Sequence, residues 1–131
     1  MTASAPPKVD EKLLLDWGTR IGIAARQDDL KASQLENLMA QLDSVPGREA
    51  LLVTAAFALR QAVRLNARVT GRVVSQALQE VYNGGGGKEE ARRMLGFAKW
   101  VFEAQEYFRA GRVNVWTVRL EDFLRQAVGG R

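Results

Sequence analysis

The chain contains no cysteine and no histidine. Without thiols there is no disulfide and no thiolate nucleophile, and without imidazole the usual acid–base residue and zinc ligand of neutral pH are gone. Proline occurs three times, and two of these fall in the opening Met1-Thr2-Ala3-Ser4-Ala5-Pro6-Pro7 stretch. That stretch has no apolar signal core, and residues 1–8 read as a disordered tail. No apolar run approaches the roughly 20 residues a membrane span needs, so a cytoplasmic protein with no membrane partner is expected. Paired carboxylates remain as a route to hydrolysis or magnesium binding, but no acidic pair sits in an apolar pocket motif. The expectation is a protein that is not an enzyme, holds no metal and no cofactor, and works by binding.

What is present supports one domain. The 131 residues are 47% hydrophobic, enough for a core that removes roughly two-thirds of the unfolded surface from water. The net charge of +4 is unevenly spread. Residues 1–43 carry five basic and seven acidic side chains, and residues 80–131 carry nine and seven. Residues 44–79 hold five arginines against the single acid Glu49. A basic centre of this kind points to an anionic partner.

Helical periodicity runs through most of the chain. A first helix over about Val9–Arg26 puts Leu13, Leu14, Trp17, Ile21, Ala24 and Ala25 on one arc. Gly18 and Gly22 flank it one turn apart. Each costs about 1 kcal/mol of helix propensity against alanine, so another backbone is expected to approach closely there. After a break at Asp28-Asp29, Ser33 and Glu36 have capping-box spacing, and Leu35, Leu38, Met39 and Leu42 form a buried face. A third helix is expected over about Pro46–Arg68, with a core stripe of Leu52, Ala55, Ala56, Leu59 and Val63. A kink or break is expected near Thr70-Gly71, then a shorter helix through Val73, Val74, Ala77, Leu78 and Val81 to Asn83.

Gly84–Gly87 reads as a flexible linker. A fifth helix over about Lys88–Arg109 ends before Gly111 and is apolar around most of its circumference, with one polar strip of Arg92, Lys99, Glu103 and Glu106. Such a helix is central or faces a subunit interface. The last segment, Val113–Val128, has three valines that suit a strand, but Leu120, Phe123, Leu124 and Val128 repeat at helical spacing. A helix starting near Asn114 or Thr117 is expected. The fold class is therefore all-α, a single-domain bundle of five or six helices over residues 9–128.

Arg60, Arg64, Arg68 and Arg72 fall at four-residue steps with no acid between them. In a continuous helix their guanidiniums repeat about every 6 Å along the axis. Like charges at that spacing repel, and a phosphate backbone is the natural compensation. The plain alternative is a solvated face paired with acids from other helices. Gly84-Gly85-Gly86-Gly87-Lys88 is a poor phosphate loop, since Glu89 stands where the magnesium-binding Ser or Thr belongs and no strand precedes it. Phe97, Trp100, Phe102, Tyr107 and Phe108 could stack on bases, but at helical spacing most are expected in the core, with Trp100 or Tyr107 facing outward. Thr70–Tyr82 can also be read as the second helix of a helix-turn-helix, with Arg72, Gln76 and Gln79 facing bases.

Two stretches resemble a known family. Lys31-Ala32-Ser33-Gln34-Leu35-Glu36-Asn37-Leu38 is similar to the polar start of an early helix in the small α-helical subunit of type III CRISPR effector complexes. Phe97-Ala98-Lys99-Trp100-Val101-Phe102-Glu103-Ala104-Gln105-Glu106-Tyr107-Phe108 is similar to that family's late aromatic helix. The likeness covers about residues 28–112. It departs at Ala55-Ala56-Phe57-Ala58-Leu59-Arg60, where the family often has a Tyr-Ala-Ala-Gly-Arg-like segment, and it lacks the histidine often found near the end of the late helix. The resemblance implies a non-catalytic subunit that stacks on copies of itself beside other effector-complex subunits. It also implies contact with the crRNA and target RNA backbone, cleavage belonging to other chains. Arg60 matches the family's middle-helix arginine. Arg64, Arg68 and Arg72 come from charge alone, and Arg92 and Lys99 complete the expected RNA-contact set.

Overall fold

The computed structural model describes residues 9–129. The tail expected over residues 1–8 lies outside the described residues. Six helices follow in order: α1 (Glu11–Gln27), α2 (Ala32–Ser44), α3 (Glu49–Leu65), α4 (Arg68–Asn83), α5 (Lys88–Ala104) and α6 (Leu120–Gly129). No strand occurs among the described residues, and the all-α bundle expected from periodicity is what forms.

Local chemistry sets the helix ends. The Asp10 carboxylate accepts the Leu13 N–H at 2.9 Å and starts α1. Asp29, in the left-handed region at φ 59°, turns the chain out of it. Its neighbour Asp28 has a second task, accepting both the backbone N–H and the hydroxyl of Thr70 at 2.7 Å each. A residue that ends α1 thereby satisfies an orphan donor in the first turn of α4. We expect Asp28→Ala to cost about 1–2 kcal/mol, read as a lower urea midpoint with an unchanged slope.

Five helices close a ring in the order α3, α4, α1, α5, α2, with α2 returning to α3 and α6 leaning on α1. Two seams are unusually close. A Cβ on Gly18 would lie 2.9 Å from the Met94 carbonyl oxygen, and one on Gly22 would lie 2.7 Å from both the Ala98 oxygen and Val101 Cβ. The expected backbone approach is therefore that of α5. Across the ring, a Cβ on Gly71 would fall 2.4 Å from Ala62 Cβ, so α4 lies almost against the α3 backbone.

Several expectations need correction. Ser33 does not cap α2; the cap position is Lys31, and the first turn closes through its carbonyl to Gln34 N–H at 2.9 Å. The break after α3 is at Asn66, left-handed at φ 55°, and not at Thr70-Gly71, which lies inside α4. The glycine run is not a loose linker but a tight turn. Gly85 takes φ 92°, Gly86 N–H donates to the Val81 carbonyl at 2.8 Å, and the Gly86 carbonyl accepts from Arg48 Nε at 2.9 Å. Helix α5 ends at Ala104, five residues earlier than Arg109. Helix α6 begins only at Leu120, because Asn114 opens a turn instead, its side chain accepting Trp116 N–H at 2.9 Å.

The largest correction concerns α3. Of its expected core stripe only Ala55 is buried; Ala56 is exposed, as are Leu52 (40%), Leu59 (45%) and Val63 (84%). The inward face is Ala50, Leu51, Thr54, Ala55, Ala58 and Ala62. Because Gly71 admits α4 so closely, small residues fit this seam and the larger ones face out.

Candidate nucleic-acid interface

The outward face of α3 carries Leu52, Ala56, Leu59 and Val63 in successive turns, all exposed. Arg60 and Arg64 lie beside them, also exposed. At 100° per residue Arg60 points about 200° away from Ala58, the residue that meets α4. After Asn66 reverses the chain, Arg68 opens α4 and Arg72 follows one turn later, both exposed. Arg68 and Arg72 line an open groove with Leu59, Ala62, Val63 and Asn66. The four arginines therefore do not form one continuous ladder. They form two pairs, one on each bank of an apolar strip.

None of the four makes an ion pair among the described residues. The other two expected contacts differ. Arg92 is paired with Asp43 of α2, and Lys99 Nζ lies 2.7 Å from Glu36 of α2 and 3.8 Å from Glu103. The hydrogen bond to Glu36, with its charge, holds the Lys99 ammonium above its ordinary pKa. Arg92 and Lys99 thus clamp α2 to α5 and do not join the arginines of α3 and α4. On α4, Arg72, Gln76 and Gln79 all face out, but Gln76 donates to Glu80 at 2.9 Å and Gln79 to Ser75 at 3.2 Å. With α3 and α1 packed against the rest of α4, these three residues form a narrow polar strip along it.

The aromatics divide much as their spacing implies. Phe102 is buried under the Arg26 guanidinium, 4.1 Å from its ring centre, and Phe108 meets Phe123 at 5.2 Å. Trp100 and Tyr107 face outward, 71% and 94% exposed. Sequence reasoning missed a second cluster, in which Trp17 meets Trp116 edge-on at 6.5 Å and Arg20 stacks 4.6 Å above Trp17. Its long sequence separation left no local signal.

No group of three or more carboxylates among the described residues is placed to hold a metal ion, and no helix there is long and apolar enough to cross a membrane. Comparison with known proteins gives nothing further. No family model matches the chain, and no curated protein or solved structure is detectably similar to it.

Proposed function

We propose that this chain is a non-catalytic subunit of a ribonucleoprotein complex, of the type III CRISPR effector kind, that holds RNA by its phosphates and stacks on copies of itself. The observation that carries this reading is the set of four exposed arginines, Arg60, Arg64, Arg68 and Arg72, with no carboxylate partner among the described residues. Guanidinium groups suit phosphate through their planar fork of donors. Backbone contact of this sort positions a polyanion without reading its sequence. The resemblance of residues 28–112 to the effector small subunits supports the same assignment, and the bulk composition fits a binding role.

The test is salt dependence. RNA binding through four phosphate contacts predicts a slope of roughly −3 in a plot of log affinity against log salt. A slope near zero, or no binding in the assembled complex, sinks the reading. One observation favours a second reading, a helical scaffold that binds protein alone: Leu52, Leu59 and Val63 lie exposed between the arginine pairs, and phosphates have no use for leucine. Under that reading the purified complex contains no RNA.

A further inference from the structure

We infer that the cavity between the C-terminal ends of α1 and α5 is a binding site for a single phosphate-type oxyanion, held by Arg26 and Arg109. The site is separate from the arginines of α3 and α4, and it does not rest on the reading above. Ile23, Arg26 and Gln27 of α1 line the cavity, with Gln105, Arg109 and Gly111 from the segment that follows α5. Its volume is about 190 Å³, below the roughly 300–1,000 Å³ of pockets that take drug-sized molecules. An ion or one functional group fits.

The walls are fixed by the fold. Gln105 is 4% exposed and donates its side-chain amide to the carbonyls of Gly22 and Val101 at 3.1 Å each, which ties α1 to α5. Gly111, left-handed at φ 61°, turns the chain just past the site.

Arg26 is built in but underused. Its guanidinium lies on the Phe102 ring, and Nη2 donates to the Phe102 carbonyl at 2.6 Å. A guanidinium has five N–H donors, and the Arg26 Nε is one of two buried side-chain nitrogen or oxygen atoms among the described residues that lack a partner. Burying such a group unpaired disfavours the folded chain, and an acceptor drawn onto the guanidinium removes that penalty. The planar fork matches a pair of phosphate oxygens. Two arginines from different elements can each take such a pair from one tetrahedral ion, whereas a carboxylate offers only one pair.

Charge favours the same occupant. No carboxylate lines the cavity; Asp28 is turned to Thr70 of α4, and Asp29 and Glu106 lie outside the lining. Arg109 is exposed, and neither it nor Arg26 makes an ion pair among the described residues. The opposing influence is the pair of helix C-termini, each equivalent to roughly half a negative charge. Their carbonyls are largely closed by the chain itself: Ala24, Ala25 and Arg26 accept from Asp28, Leu30 and Asp29, and Phe102, Glu103 and Ala104 accept from Gln105, Glu106 and Tyr107. Two guanidiniums against roughly one negative charge leave a surplus of roughly one positive charge for an anion.

The experiment is nuclear magnetic resonance of the ¹⁵N-labelled full chain, free of RNA, titrated with inorganic phosphate at fixed pH and ionic strength. The Arg26 Nε–H and the backbone amides of Gln27 and Gly111 are expected to shift along a saturable curve, half-complete in the low millimolar range. Sodium chloride at matched ionic strength is expected to leave them in place. Arg109→Gln is expected to weaken binding about tenfold, the loss of one charge-assisted hydrogen bond, and Arg26→Gln to abolish it. Circular dichroism checks both folds; because Arg26 also holds the end of α5, the exposed Arg109 position decides if Arg26→Gln unfolds. Adenosine monophosphate separates two sources of the same group. Half-saturation equal to that of phosphate marks a site for the free ion, and binding more than about tenfold tighter marks a nucleotide's phosphate; both support the inference. A drift that chloride reproduces overturns it, as does a saturable shift that Arg109→Gln leaves unchanged. Arg26 is then a helix-end contact and nothing more.

Discussion

Replacing Arg60, Arg64 and Arg68 together with glutamate is expected to lower RNA affinity by about two orders of magnitude at physiological salt. Each phosphate contact releases condensed counterions, and three lost contacts flatten the salt slope by roughly 2. Glutamate adds repulsion to the loss. Folding is not at stake, because all three side chains are exposed and none makes an ion pair among the described residues. The control is Arg92→Glu. Arg92 is already engaged by Asp43, so its reversal is expected to change RNA affinity far less than any one of the three. Filter binding or anisotropy on the assembled complex over a salt series gives both numbers. Equal losses at Arg92 and at Arg60 would mean that net charge, and not the face of α3 and α4, governs binding.

Gly22→Val is expected to destabilise the bundle by about 3 kcal/mol, lowering the melting temperature by roughly 10 °C. Even the first carbon of the new side chain would fall 2.7 Å from the Ala98 oxygen and Val101 Cβ, so α1 and α5 must separate. The gain in helix propensity, under about 1 kcal/mol, does not offset that. Gly96→Ala is the opposite case. Outside its own stretch of helix, no atom of the described residues lies within 4 Å of the added carbon, so only the propensity gain remains, and monomer stability is expected to rise by about 0.5–1 kcal/mol. Thermal and urea denaturation of both variants check the two signs. A Gly22→Val protein as stable as the wild type would mean that the α1–α5 seam has slack.

The bundle was legible in the sequence wherever one helical face is apolar and the other polar. Gly18 and Gly22 signalled a close seam because glycine inside a helix needs a reason, and α5 supplies it. The same logic was hidden at Gly71, which looked like a helix break. Nothing local distinguishes a glycine that ends a helix from one that admits Ala62 of a neighbour. Asn66 does the breaking, by a left-handed turn that asparagine tolerates.

On α3, helical spacing put Leu52, Ala55, Ala56, Leu59 and Val63 in the core. The closeness of α4 reversed that choice, leaving Leu59 and Val63 outside and Ala58 and Ala62 inside. Exposure of the four arginines followed from the absence of nearby acids in the chain. The capture of Arg92 by Asp43 and of Lys99 by Glu36 did not. Those partners lie on another helix, and pairing across helices leaves no trace in local spacing.

The most direct measurement is recovery of the chain from its source under low salt, with ultraviolet cross-linking and mass spectrometry of whatever RNA accompanies it. RNA is expected to co-purify, with cross-links concentrated in the peptides that carry Arg60, Arg64, Arg68 and Arg72. A native complex free of RNA, or cross-links that avoid α3 and α4, would contradict a phosphate-binding role for this face.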